Sequence, residues 1–431
     1  MSSPSPATHD PYAAVRLPFV RAFVAARVSA SLGTQIVTLA VGYELYERTG
    51  SAWSLGLVGL FELTPVLLFM IAAGNAADRY ARRDIAMLAQ AVAAIAAIGL
   101  MAVSWTQGPV WVVYAMLMLV GTARAFAGPA VSTILPQLLK REQFVNANAW
   151  ASSAFQFASA AGPALGGLII AWTGAVTWAY MFAAIGQVIF IIGFFAVPRV
   201  PPPKKGTTSR KLLDVFAGFS FIRRTPVFLA AITLDMFAVL LGGAVALLPI
   251  FAKDILHVGA DGLGWLRAAP GAGSLLMMLI ITRLKPWKKP GHVLVYTVIG
   301  FGLATIAFGL STSFILSLVA LFLTGIFDAI SVVVRITLEQ VVTPDRLRGR
   351  VSAINYVFVG FSNEFGAFES GATAALFGPV ISVVGGGIGT ILVVLGVAWK
   401  WPALLRIGPL HTLSQEEEEE IAEEAEVRHG V

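Results

Sequence analysis

Apolar runs of about 20 residues, the length a helix needs to cross a hydrocarbon core, recur from one end of this chain to the other. Twelve can be read, at 17–45, 53–75, 84–105, 110–138, 149–173, 176–197, 226–252, 261–284, 292–311, 313–341, 350–374 and 379–402. Lipid offers the backbone no hydrogen-bond partner, so each run must satisfy its own peptide groups as a helix. A chain with 57% hydrophobic and 13% charged residues has no match among soluble domains, which average roughly 45–50% and 25%. The expected fold class is therefore an all-α membrane protein of twelve transmembrane helices.

Charge placement orients these helices. With the N-terminus inside, the cytoplasmic segments hold 24 of the 30 Lys and Arg residues and the outer loops hold two, Arg48 and Lys253. Arg27, Arg124, Arg267 and Arg335 fall within spans. This is the positive-inside asymmetry. It predicts that both termini are cytoplasmic, and it accounts for the net charge of +6 without nucleic acid as a partner. Met1 to Ala14 is polar and the first apolar run is too long for a signal-peptide core, so no cleavable signal is expected.

The longest polar interruption runs from Arg199 to Arg224 and contains Pro201, Pro202 and Pro203, the composition of a linker. The expected organisation is a cytoplasmic N-terminus (1–16), a six-helix half (17–198), a linker (199–225), a second six-helix half (226–405) and an acidic tail (406–431). The halves echo each other. LPQLLKREQF at 135–144 aligns with LEQVVTPDRL at 338–347, and SLGLVG at 54–59 with GLGWLR at 262–267. Parallel repeats of six helices imply a pseudo-two-fold axis along the membrane normal, with a substrate path between the halves.

The loop after the second span reads Gly74-Asn75-Ala76-Ala77-Asp78-Arg79-Tyr80-Ala81-Arg82-Arg83. It resembles the G-x-x-x-D-R-x-G-R-R signature of the major facilitator superfamily, with Ala81 where the signature has its second glycine. Arg124 with Gly128 resembles that family's R-x-x-x-G element. Gly162-Pro163 with Gly166-Gly167 resembles the G-P-x-x-G-G element of its antiporters. Thr343-Pro344-Asp345 to Arg348-Gly349-Arg350-Val351-Ser352, then Ser362-Asn363-Glu364 to Phe368-Glu369-Ser370-Gly371, is similar to the family's enterobactin-exporter-like branch of bacterial exporters. The resemblance implies the major facilitator fold, in which the first, fourth, seventh and tenth helices line a central cavity. It also implies that Gly74, Asp78, Arg79, Arg82 and Arg83 form a conformational latch between the halves. Physically, Asp78 near the start of another helix, such as the eleventh near Arg350, would gain from the helix dipole, and the arginines would bind carboxylates or lipid phosphates.

Ionisable groups at bilayer depth cost at least ~2.5–3.5 kcal/mol each on insertion scales, so each is a candidate for function. They are Arg27, Glu62, Arg124, Asp235, Arg267, Asp328, Arg335, Glu364 and Glu369. Of these Arg27, Arg124, Asp235, Asp328, Arg335 and Glu364 are the candidates for substrate binding or proton coupling. The repeat alignment sets Arg27 opposite Asp235 and Arg124 opposite Asp328, which predicts ion pairs that break and remake during transport. The static alternative is that each charge pairs within its own half. Glu44, Arg48 and Lys253 are expected to be solvated at the outer surface. Gly162, Pro163, Gly166 and Gly167 are the candidate hinge at a helix interface, with tight packing as the other reading. Tyr43, Met236, Phe237 and Phe327 are candidates for an apolar lining.

With zero cysteines and no G-x-x-x-x-G-K-[ST] or H-E-x-x-H motif, neither an enzyme nor a nucleotide-driven pump is expected. No metal or other cofactor is expected either. The expected function is secondary active transport. The form that the resemblance favours is a proton-coupled exporter of a siderophore or amphipathic organic compound, working by alternating access as a monomer in the bacterial inner membrane. Its expected partners are a small organic substrate, protons and the lipid bilayer. An importer or uniporter of a small organic solute, and a non-transporting receptor of the same fold, remain open.

Overall fold

Connections of a few residues between long apolar helices leave consecutive helices no option but to run back against each other. The computed structural model describes residues 12, 14–200, 219–223, 225–285 and 287–408. Most of the N-terminus, most of the predicted linker and most of the acidic tail lie outside the described residues, as do the side chains of Arg346, Arg348 and Arg350.

All regular structure among the described residues is helical. The long helices are α1 (Pro18–Thr49), α2 (Ala52–Arg79), α3 (Arg82–Thr106), α4 (Val110–Ser132), α5 (Arg141–Thr173) and α6 (Val176–Phe194), then α7 (Pro226–Leu241), α8 (Ala260–Ile281), α9 (Pro290–Leu310), α10 (Phe314–Val342), α11 (Asp345–Phe377) and α12 (Pro379–Lys400). Among the described residues, eleven helical runs are long and apolar enough to cross a membrane. The other long helix, α11, has 33 residues but carries Ser352, Asn355, Asn363, Glu364 and Glu369, and is less apolar than the rest.

Two helices depart from the continuous spans expected. The fourth span breaks at Thr133, after which Ile134–Leu138 makes a separate short helix. The seventh keeps α-helical form only to Leu241; Gly242 and Gly243 follow, then a 3₁₀ turn (Gly243–Leu247), one short α turn (Leu248–Ile250) and a π turn (Phe251–Ile255). Two adjacent glycines weaken the helix there, and tertiary contacts take over the chain's course. Elsewhere the stops are local: Gly378 takes a φ of 91°, open to glycine because it has no side chain, and Pro379 opens α12, a favoured first helical residue.

The chain groups into two compact units, Met1–Glu44 with Thr64–Lys204, and Leu45–Leu63 with Lys205–Val431. The stretch 45–63, which the sequence assigns to the first half, thus packs with the second unit. In the first unit α3 packs against both α4 and α6; in the second, the corresponding α9 packs against α10 and α12. The first unit's core is rich in alanine (Ala26, Ala30, Ala86, Ala130, Ala147) around a Phe23, Phe190 and Phe194 stack. Small side chains let helices approach closely where lipid gives no hydrophobic drive to associate. Large apolar side chains such as Leu68, Ile71, Ile95 and Ile192 point outward. Trp105, Trp111 and Trp172, at the end of α3, the start of α4 and the end of α5, are all exposed at the same end of the first unit, as in an interfacial aromatic belt.

Candidate functional site

On α10 the polar residues Thr324, Asp328, Ser331, Arg335 and Glu339 recur every three or four positions in a mostly apolar helix, so they share one face. Its middle part, at Asp328 and Ser331, faces α7 and α9, and Glu339 further along bonds α11. Asp235 of α7, only 6% exposed, forms an ion pair with Arg335. The guanidinium is aimed by its own helix, because Nε donates to Ser331 one turn back, to the carbonyl at 3.3 Å and to Oγ at 3.2 Å. Asp328 lies two turns from Arg335, within the electrostatic reach of both Arg335 and Asp235. It makes no hydrogen bond or ion pair among the described residues. Its carboxylate lines a cleft between α7, α9 and α10 together with Asp235, Thr297, Phe301, Phe327 and Ser331.

The partner found for Asp235 is therefore Arg335, from its own unit, where the repeat alignment predicts Arg27. A helix-to-helix contact inside one unit needs no matching charge elsewhere. Arg27 is half-buried on α1 and Arg124 is exposed on α4. Of the four apolar lining candidates the cleft takes Phe327, and it adds Phe301, which the sequence does not single out.

Glu364 belongs to a second charged group. Arg267 of α8 is attracted by the carboxylates of Glu62 of α2 and Glu364 of α11. Its Nη1 also donates to the Val245 carbonyl at 3.4 Å. Val245 lies in the 3₁₀ turn that follows the break in α7, where carbonyls lose their regular helical donors. A side-chain donor there answers the rule that non-helical backbone at membrane depth must be satisfied by protein. Close approach of α2 to α11 sets this group: a side chain at Gly59 would strike the Glu364 backbone, and one at Gly56 would meet Gly371.

The signature loop closes the end of α2. Ala81 has φ −62° and ψ 123°, ordinary extended backbone, so the missing glycine is not needed for this turn. Gly74 faces open space, Asp78 is half-buried and Arg79 is exposed. Arg82 donates to the Thr133 carbonyl at 3.3 Å, and Arg83 to the Val197 carbonyl at 2.8 Å while lying 5.7 Å from the Phe195 ring centre. These carbonyls close α4 and follow the end of α6. The described partners of the two arginines thus include helix C-termini, the negative ends of helix dipoles. Asp84 pairs with Arg199 at 2.6 Å. The side chain of Arg350, the expected neighbour of Asp78, lies outside the described residues.

Gly162 and Gly166 press α5 onto α1, where added side chains would meet Gln35 and Leu39. Pro163 lies inside α5, Gly167 is buried, and Gln35 donates to Ser159 at 3.1 Å along the same seam.

Three further groups escape the sequence reading. Glu44, expected to be solvated, is 4% exposed and accepts a hydrogen bond from Tyr180 at 2.7 Å. Lys253 pairs with Glu47 at 2.9 Å, and Tyr46 bonds Asp254 beside it. Glu339, 6% exposed, accepts from Ser352 and from Asn355, the latter at 2.7 Å. The periodic polar face of α10 is the signal that would have found Glu339.

A family model described as Major Facilitator Superfamily matches residues 23–367. The "Enterobactin exporter EntS" of Escherichia coli O1:K1 / APEC is 28% identical over 87% of this chain and 90% of its own length. The protein of that name from Shigella boydii serotype 18 matches to the same extent. Among solved structures, a D-xylose-proton symporter superposes with a TM-score of 0.70 at 15% identity, covering 88% of this chain and 97% of that one. A peptide transporter POT gives 0.72 at 11%, covering 90% and 95%.

Proposed function

This chain belongs to the Major Facilitator Superfamily and is a multi-pass membrane carrier, not an enzyme, and on that premise we propose that it is a proton-coupled exporter of a siderophore or amphipathic organic compound. The observation that carries the reading is Asp328. A carboxylate on a membrane helix, lining a cleft and holding no hydrogen bond to a described residue, sits beside a guanidinium already committed to Asp235. One positive and two negative charges are balanced when Asp328 takes up a proton. Releasing that proton restores a net charge next to the cleft and alters both ligand affinity and the preferred conformation.

The residues then take these roles. Asp328 carries the proton, Asp235 and Arg335 hold the electrostatic frame around it, and Glu364 acts with Arg267 and Glu62. Arg27 and Arg124 supply positive charge along the substrate path. Gly74, Asp78, Arg79, Arg82 and Arg83 form the latch, and Gly162, Pro163, Gly166 and Gly167 the seam on which helices shift. Export and the siderophore class are supported by the name of the curated relatives. Membership of the family supports an inner-membrane location, and the positive-inside count supports two cytoplasmic termini.

Untargeted mass spectrometry of medium and cell extract tests this reading, comparing a strain lacking the protein with strains restored by wild type or by Asp328→Asn, in iron-poor and iron-rich growth. The expected result is a metabolite that wild type releases and the other two strains retain, most strongly when iron is scarce. Equal release by all three strains would overturn export. Release by Asp328→Asn at the wild-type rate would remove Asp328 from the coupling.

A further inference from the structure

Cations gather at one end of the second unit. Arg283, Lys285, Lys288 and Lys289 are exposed in the connection between α8 and α9, and Lys400 and Arg406 are exposed at and just beyond the end of α12. The two stretches touch. A side chain at Gly291, in the first turn of α9, would strike the Leu404 carbonyl, and Trp287 packs in one apolar cluster with Leu404, Leu405 and Ile407. Neither stretch supplies an anion, for the sequence has no aspartate or glutamate between Asp261 and Asp328, nor between Glu369 and Glu416. The first turn of α9 carries no acid, so its positive dipole end adds to the field of these cations. None of the six makes an ion pair with a described residue; Lys400 lies 4.7 Å from the ring centre of Trp401.

The matching charge is in the same chain. The described residues end at Gly408, beside this surface, and Glu416 to Glu420, Glu423, Glu424 and Glu426 follow. Glu416 lies eight positions beyond Gly408, a reach of up to roughly 26–29 Å. A tether that short presents its carboxylates at an effective concentration in the mM range. Lipid phosphates are drawn to the same cations, but they arrive singly, whereas eight carboxylates arrive together on a chain already held at Leu404. Each exposed pair is weak and screened by salt, so docking depends on many pairs acting at once. We propose that the acidic segment 416–426 docks on the basic surface formed by the 283–289 connection and residues 400–406, an intramolecular cover that keeps anionic lipid off this face. The proposal is independent of what the protein carries and in which direction.

Carbodiimide coupling tests this on the full-length protein in phosphatidylcholine nanodiscs holding one copy each, because the reagent joins a carboxylate to an amine only where the two already touch. Mass spectrometry of the peptides is expected to find glutamates 416–426 joined to Lys285, Lys288, Lys289 or Lys400 at least about tenfold more often than to Lys140 of the first unit. The coupling is expected to fall at least about tenfold in ~1 M salt, where the screening length drops to ~3 Å. The triple variant Arg283→Gln, Lys288→Gln, Lys289→Gln is expected to lose most coupling at the remaining Lys285 and Lys400 as well. Its exposed substitutions are expected to leave thermal unfolding unchanged, so a folding defect is read separately. Wild type without coupling at these lysines overturns the proposal, as does coupling indifferent to salt and to the triple variant. Coupling mainly to Lys204, Lys205 or Lys211 overturns it by placing the tail on the 199–225 stretch. Loss of the coupling in nanodiscs rich in phosphatidylglycerol also overturns it, and makes the face a lipid site instead.

Discussion

In the first unit, neutral groups link helices at depth alongside the charged Glu44, which Tyr180 bonds: Gln35 of α1 bonds Ser159 of α5, Gln187 of α6 donates to Ala30 of α1, and Thr177 bonds Ser104. In the second unit the corresponding work falls to charges, with Asp235 on Arg335, Glu62 and Glu364 around Arg267, and Glu339 bonded by Ser352 and Asn355. A neutral contact between membrane helices contributes about 0.6 kcal/mol on average and cannot be switched by a proton. A buried charge network is costly to break and sensitive to every charge near it. The first unit thus relies in part on neutral contacts that a proton cannot switch, whereas the second gathers buried charges into networks.

The sharpest way to break this contrast is Asp235→Ala, which strands the Arg335 guanidinium and is expected to cost about 3–5 kcal/mol. Thermal unfolding in nanodiscs reads the loss, and replacing both partners by leucine is expected to recover most of it. A double variant as unstable as the single one would show that the pair is not the structural unit described. Next comes Glu339→Ala, which removes a charged acceptor from Ser352 and Asn355 and is expected to cost about 1.5–3 kcal/mol. Gln35→Ala in the first unit is expected to lower stability by only about 0.6 kcal/mol, and no more than roughly 1.7. A larger loss there than at Glu339 would reverse the comparison. Smallest of all is Asp328→Asn, whose side chain makes no hydrogen bond or ion pair with a described residue. Its unfolding is expected to stay within about 0.5 kcal/mol of wild type while transport is lost, separating function from stability at one position.

Much of this was legible in the chain. Long apolar runs can satisfy their backbones in lipid only as helices, so the helical class and the approximate places of the spans follow from composition alone. Lone charges within them mark Asp235, Asp328, Arg335, Arg267 and Glu364 because each is expensive at that depth. The partners were less legible. Repeat symmetry set Arg27 against Asp235, yet Asp235 pairs with Arg335, because a pairing depends on the facing and depth of two helices and not on their rank in the repeat. Glu44 looked solvated from its place near a helix end, but Tyr180 of α6 covers it. The break in α7 was visible as Gly242-Gly243, whereas the donor for the freed carbonyl of Val245, Arg267, lies 22 positions further along.

By itself, then, the sequence determined the solvent this protein lives in, its helical class, its family signature and the short roster of charges that lipid would not tolerate without a reason. Those are consequences of local composition, which each segment carries wherever it is placed. The tertiary structure decided which charges meet. It paired Asp235 with Arg335, left Asp328 uncommitted beside two phenyl rings, turned Arg82 and Arg83 onto helix ends, and grouped residues 45–63 with the second unit. Such choices depend on distances of a few ångströms between segments far apart in the chain, and the energy of a charge in low dielectric changes steeply over that range.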